Sequence, residues 1–158
     1  MRGGFLHNHC LVEPVAQRFA ALGANVYREH RVGRSRNAGY VDLFIETHDV
    51  KVVVEAEQCT ERIDRDRAKA KELRAHLLII VAPTREIAMA LRRRTDRTAG
   101  ETSGTEIPIV VATLGSLLQR LGHLSRIEDA LNVLQTLNPQ IHRRALNKNR
   151  ADDSSYFS

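Results

Sequence analysis

Three acidic residues lie in two neighbouring apolar segments, Asp42 in the first and Glu55 and Glu57 in the second. The segments at 40–46 and 51–57 are rich in β-branched and aromatic residues and flank a short polar turn, so they predict a β-hairpin. Because side chains alternate between the faces of a strand, Glu55 and Glu57 share a face, and the hairpin brings Asp42 opposite Glu55. Carboxylates gathered in this way repel one another unless a cation lies between them, and Mg²⁺ prefers such oxygen ligands. The alternative is a solvated face of the sheet.

The segments around the hairpin predict an α/β fold, with a mixed sheet flanked by helices. Two continuous apolar runs, 77–82 and 107–112, are typical of strands that are buried on both faces. Thr84 is expected to cap the helix that follows the first of these runs. The predicted elements are a helix at 12–22, strands at 25–32, 40–46 and 51–57, a helix at 61–73, a strand at 77–82, a helix at 85–94, a strand at 107–112 and a helix at 125–138.

Length and composition limit the class of protein. The 158 residues, of which 42% are hydrophobic and 27% charged, predict one soluble domain over 1–146 with its core at about 11–121. The polar run 147–158 is predicted to be a disordered tail. Without an apolar run of about 20 residues or the features of a signal peptide, no membrane partner is expected, and the location is expected to be cytoplasmic. Cys10 and Cys59 lack metal-ligand spacing and are predicted to be free, buried thiols.

The net charge of +5 comes mostly from arginine, whose planar fork suits phosphate. The cluster nearest the acids comprises Arg28, Arg31, Arg34 and Arg36. Part of this cluster lies in a Gly/Arg/Ser/Asn loop that leads into the strand of Asp42. Taken singly, each basic cluster is a solvated face. Next to an acidic metal site, however, Arg31, Arg34 and Arg36 predict binding of a polyanion, and DNA is the expected partner.

The C-terminal segment carries an apolar stripe. Leucine and isoleucine recur there at spacings of three and four, which predicts an amphipathic helix at 125–138 with Ser125 as its cap. The stripe is either a face of the core or the interface of a homodimer.

The acids and their context resemble the PD-(D/E)xK nuclease superfamily, which has the restriction-endonuclease-like fold. The motif is carried by Asp42 and, after three valines, by Glu55-Ala56-Glu57. The charged helix at 61–73 and the apolar strand at 77–82 follow in the order that the family shows. The likeness extends over about residues 11–111. It implies a metal-dependent DNA endonuclease that uses Mg²⁺, for which Mn²⁺ can substitute.

The resemblance also implies a set of metal ligands. Asp42 and Glu55 would hold Mg²⁺, with the main-chain carbonyl of Ala56 as a third ligand. Glu13, on the predicted first helix, stands where many members carry an acid that completes the metal site, and it would contribute directly or through water.

Glu57 departs from the family motif, which has a lysine at this position. Some restriction endonucleases of this fold use a Glu-x-Glu pair, and other members recruit a lysine from the following helix, which here would be Lys69 or Lys71. If no lysine has taken over this role, Glu57 would act instead as a ligand for a second metal or as a general base for the attacking water.

Because of this departure, a second class of function stays open. A relative of these nucleases that has lost its lysine would bind DNA without cutting it. Among active nucleases, the sequence does not distinguish a site-specific restriction enzyme from a structure-specific resolvase. The compact basic chain and its short Arg/Ser/Gly loop favour recognition of phosphates and shape, as a resolvase requires.

Overall fold

The computed structural model describes residues 3–33, 39–99 and 106–137 of the chain. The strands are β1 (Asn25–Val32), β2 (Gly39–Glu46), β3 (Lys51–Ala56), β4 (Leu77–Ala82) and β5 (Ile109–Thr113). The helices are α1 (Gly3–Ala21), α2 (Ile63–Glu72), α3 (Arg85–Ala99), α4 (Leu114–Leu121) and α5 (Ile127–Thr136), and a single 3₁₀ turn, Thr60–Arg62, precedes α2.

The five strands form one mixed sheet in the order β1-β2-β3-β4-β5. The pairs β1/β2 and β2/β3 are antiparallel, whereas β3/β4 and β4/β5 are parallel. Every residue of β4 is buried, because helices cover the sheet on both faces. The predicted α/β architecture with a flanked mixed sheet is therefore confirmed, and so is the hairpin of β2 and β3.

Each face of the sheet carries its own apolar core. One core packs α1, α4 and α5 against the sheet, with Phe19 and Leu43 among its largest fully buried side chains. The other packs α2 and α3 against the opposite face, with Ile63 and Leu91 among its members. In α5, Leu131 and Leu134 are buried in the first core, so the apolar stripe predicted at 125–138 is a core face over its described part.

The helices differ from the prediction in several places. Helix α1 begins at Gly3, whereas the apolar spacing that starts at Leu11 predicted a start at Val12. Helix α3 runs to Ala99, five residues beyond its predicted end at Arg94. Helix α4 directly follows β5, with the hydroxyl of Thr113 accepting the N–H of Ser116 at 3.3 Å, and the sequence analysis missed it. The prediction of Ser125 as a cap is wrong, because α5 begins after Arg126 and a cap must occupy that position.

Other expectations can be compared directly with the structure. Thr84 does cap α3, since its hydroxyl accepts the N–H of Ile87 at 3.2 Å. Cys10 and Cys59 are free, as predicted, but both are exposed, so their predicted burial is wrong. Within the described residues, no helix is long and apolar enough to cross a membrane. The predicted tail at 147–158 lies outside the described residues.

Candidate functional site

The strands β2 and β3 separate at one end, and two acids fill the fork between them. The ladder runs from the Glu46/Lys51 pair near the turn to the Leu43/Val54 pair and then stops. Beyond it, the two strands exchange hydrogen bonds through side chains instead. This leaves main-chain N–H groups that side-chain carboxylates can satisfy.

In the fork, Asp42 and Glu55 are each held by the opposite strand. The N–H of Asp42 donates to Oε2 of Glu55 at 3.2 Å, and the N–H of Ala56 donates to Oδ2 of Asp42 at 2.8 Å. The pairing register thus brings together the two acids that the sequence predicted to lie opposite each other.

A lysine from α2 completes the fork. The Nζ atom of Lys69 donates to Oε1 of Glu55, to the main-chain carbonyl of Tyr40 at 3.1 Å and to Oδ1 of Asp66 at 3.0 Å. These three acceptors match the three donors of an ammonium group, so its position is fixed. Of the two lysines that the sequence analysis considered, Lys69 reaches Glu55, whereas Lys71 is exposed on the same helix.

Asp66 belongs to the site, and the sequence analysis missed it. Its side chain is almost fully buried although it lies on α2, in which seven of the ten residues are charged. A signal was present in the sequence, because Asp66 lies three residues after Ile63 and four before Ala70. This helical spacing places the acid on the apolar stripe of α2, where a charge needs a partner.

Glu57 lies one residue beyond β3 and is also buried. Its N–H continues the parallel pairing by donating to the carbonyl of Val81 at 3.1 Å. Burial, followed by a hydrogen bond with Asp66, raises the pKa of Glu57 to about 8. Oδ2 of Asp66 is buried and has no hydrogen-bond partner among the described residues, so it is an available acceptor for a proton on Glu57.

The electrostatic balance of the fork is negative. Burial, and then the negative charge of Asp66, raise the pKa of Glu55 to about 8, and Lys69 offsets only part of this effect. Four carboxyl groups lie in or next to the fork, and the ammonium of Lys69 contacts two of them, so the site retains a proton at neutral pH or gains from a bound cation.

Asp42 and Glu55 are the carboxylates of the fork that could hold a cation. Among the residues that the structure describes, no three His, Cys, Asp or Glu side chains form a group that could hold a metal. The three acids of the sequence pattern are therefore not grouped as metal ligands in the described residues, and the hydrogen bond that raises the pKa of Glu57 is with Asp66 on α2. Mg²⁺, however, is usually bound by only one or two carboxylates together with waters, and Asp42 and Glu55 supply two.

Glu13 reaches the same region from α1 but is already paired. Its carboxylate accepts two hydrogen bonds from Arg28, at 2.8 and 2.7 Å. These hydrogen bonds are the main reason why the pKa of Glu13 is lowered. Both residues line a cleft of about 480 Å³ that also includes Asp42. The remaining lining residues are Asn8, His9, Val12, Glu29 and Leu43.

The predicted DNA-binding arginines are only partly described. Arg31 is exposed in the edge strand β1, opposite Tyr40 of β2. Arg34 and Arg36 lie outside the described residues.

No protein-family model matches this chain, and no curated protein matches it significantly. The interpretation of the site therefore depends on its own residues and geometry.

Proposed function

We propose that this protein is a metal-dependent DNA endonuclease with the restriction-endonuclease-like fold. The observation that supports this best is the contact of Lys69 with Glu55, in the fork where Asp42 meets β3. Two acids and a lysine are the residue types of the PD-(D/E)xK motif. Here the lysine would come from the helix after the motif, and Glu57 would occupy its usual position.

The fold is compatible with this proposal. One helix and three antiparallel strands are followed by a helix and a parallel strand, and the acids lie in the second and third strands. This is the order of elements on which the resemblance was based.

In the proposed reaction, Asp42 and Glu55 would hold Mg²⁺ together with the main-chain carbonyl of Ala56. Glu13 would contribute directly or through water. The ion supplies positive charge that offsets charge developing on the phosphate and acidifies a bound water.

Lys69 is positioned to assist at the same point. All three of its donors are engaged by Glu55, Asp66 and the carbonyl of Tyr40. If Glu55 held a cation, Lys69 would keep its contacts with Asp66 and Tyr40 and would have one free donor. That donor would orient the attacking water or stabilise negative charge on the phosphate.

Glu57 has a different role in this proposal. Because its pKa is raised to about 8, it is mostly protonated at neutral pH and can accept a proton from water only as the pH approaches that value. Its contact with Asp66, rather than with Asp42 or Glu55, favours a role as a base or a proton store over a role as a ligand of the first metal.

The test is a cleavage assay on supercoiled plasmid, linear duplex and a four-way junction, each with Mg²⁺, Mn²⁺ or a chelator. We expect cleavage of at least one substrate with either metal and none with the chelator. Binding of DNA without cleavage of any substrate would contradict the proposal and identify a non-catalytic relative of these nucleases. The pattern of substrates would separate a structure-specific enzyme from a sequence-specific one.

A further inference from the structure

Three aromatic rings form a cluster on the β1–β2 pair. The ring centroids of His30 and Phe44 lie 4.8 Å apart, and those of Tyr27 and Phe44 lie 6.1 Å apart, both in a stacked arrangement. Tyr27 and His30 also touch, with centroids 5.7 Å apart. Phe44 is buried beneath the other two rings, whereas Tyr27 is 44% exposed. The outer surface of the cluster is thus an aromatic face open to solvent.

A strained residue brings these rings together. Tyr27 and His30 are three residues apart, and in a regular strand they would point to opposite faces of the sheet. Between them, Glu29 has a φ of 47°, in the left-handed region that costs a non-glycine residue about 1 kcal/mol or more. This twist lets both rings contact Phe44.

The side chains of β2 also depart from regular alternation between the two faces of the sheet, next to Glu29. Val41 and Phe44 pack in the core on the α2 side, whereas Leu43 packs in the core on the α1 side. The switch therefore occurs at Asp42, which lies across from Glu29 at the one position where the pairing of β1 with β2 is interrupted. A cross-strand aromatic pair alone would explain the contact of Tyr27 with Phe44. It would not explain strain placed directly opposite a residue of the fork.

The cluster lies close to the fork on one face of the sheet. Phe44 pairs with Val53 in β3, and both belong to the core on the α2 side. Glu55 follows Val53 by two residues, on the same face, and its carboxylate meets Lys69 of α2. Because a strand rises by about 3.3 Å per residue, the Phe44/Val53 pair lies about 7 Å along the strand from Glu55.

We propose that the cluster of Tyr27, His30 and Phe44 is a stacking platform for one unpaired nucleobase of the DNA substrate. This inference rests on the proposed function and specifies its substrate class, which is DNA that is single-stranded or branched next to the cleaved phosphate. A base in an intact duplex has both faces covered by its neighbours, so only an unpaired base can stack on Tyr27.

One exposed arginine near the platform favours a nucleotide as its occupant. Of the two exposed arginines in β1, Arg28 is already paired with Glu13 of α1, whereas Arg31 directly follows His30 of the platform. An arginine near an aromatic face can bind the phosphate of a base that stacks there. Since Arg31 lies opposite Tyr40, two residues before Asp42, it is placed to contact the backbone on the way to the fork.

The first test uses fluorescence, because the chain contains no tryptophan. In Tyr27→Trp, the single indole should be quenched by a single-stranded oligonucleotide, and also by a duplex with one unpaired base. A blunt, fully paired duplex should leave the indole fluorescence unchanged. The comparison is made at the same fraction of bound protein, which is measured by the anisotropy of labelled DNA. The matched control is Met89→Trp, at a similarly exposed site on α3, which should respond to none of these DNAs.

The second test measures affinity. Tyr27→Leu should weaken binding of single-stranded DNA about tenfold, whereas Tyr27→Phe should preserve it. Replacing the unpaired base of the bulged duplex with an abasic site should weaken binding to the wild type by a similar factor, without any change to the protein. Thermal unfolding of each variant checks that the fold is retained.

These results separate the platform from the nuclease. If the wild type cleaves DNA but blunt duplex quenches the indole equally, or if Tyr27→Leu and the abasic site leave affinity unchanged, only the platform is overturned. Unchanged DNA affinity is also the result expected if the rings bind another protein. If the wild type binds no DNA, both proposals fail.

Discussion

Removing the ionisable group of Glu57 should change how stability depends on pH. The pKa of Glu57 is about 8 in the folded protein, against 4.5 for an ordinary glutamate. Between these values the folded state binds a proton that the unfolded chain does not. The stability that this proton provides is present in full below about pH 4.5 and is lost as the pH rises through about 8.

The size of the effect follows from one bound proton. One extra bound proton makes the free energy of unfolding fall by about 1.4 kcal/mol per pH unit. Between pH 5.5 and 7.5 this amounts to an upper limit of about 3 kcal/mol. In Glu57→Gln, the side-chain amide can still donate a hydrogen bond to Asp66 but does not ionise. The free energy of unfolding of this variant should therefore lack the part of the decline that is due to Glu57.

The assay is urea unfolding, followed by circular dichroism in the presence of a chelator, from pH 5.5 to 8.5. We expect Glu57→Gln to become progressively more stable than the wild type as the pH rises. Glu86→Gln, which alters an exposed carboxylate on α3, serves as the control and should follow the wild type. If the curves of Glu57→Gln and the wild type run parallel across this range, the folded state holds no extra proton on Glu57.

Three further predictions concern the lysine, its partner and the basic loop. Lys69→Met should lower the cleavage rate roughly 10²-fold or more, whereas Lys71→Met should have little effect, and equal rates would exclude Lys69 from the reaction. Asp66→Asn removes a negative charge that raises the pKa of the neighbouring glutamates, so the rising limb of kcat against pH should move to lower pH, and an unmoved limb would contradict this role. Changing Arg34 and Arg36 together to alanine should reduce the slope of log affinity against log salt by about two, and an unchanged slope would mean that the loop does not contact phosphate.

The sequence predicted the hairpin and the meeting of Asp42 with Glu55 because strand alternation and turn position fix the register locally. It could not choose between Lys69 and Lys71. These residues flank the buried stripe of α2 on opposite sides, and the packing of that helix on the sheet decides which of them faces β3. Glu57 likewise shares a face with Glu55 by alternation, but its contact with Asp66 depends on where α2 lies.

Other features depend on single residues that a pattern does not reveal. The first turns of α1 were missed, because the apolar spacing that predicted the helix starts only at Leu11. The left-handed conformation of Glu29 has no sequence signal, since glycine or asparagine normally marks such positions. Strand alternation alone assigns Tyr27 and His30 to opposite faces of the sheet, so the sequence did not predict the aromatic cluster.

The central claim is that Asp42 and Glu55 hold the cation that supports cleavage of DNA. Its most direct test is the single-turnover cleavage rate of Asp42→Asn with saturating protein and Mg²⁺, compared with Asp49→Asn in the exposed turn of the same hairpin. We expect Asp42→Asn to bind DNA at least as tightly as the wild type, because it removes a negative charge near the phosphate, and to cleave it at least about 10²-fold more slowly. Asp49→Asn should cleave at the wild-type rate. Cleavage by Asp42→Asn at the wild-type rate would contradict the assignment of the site.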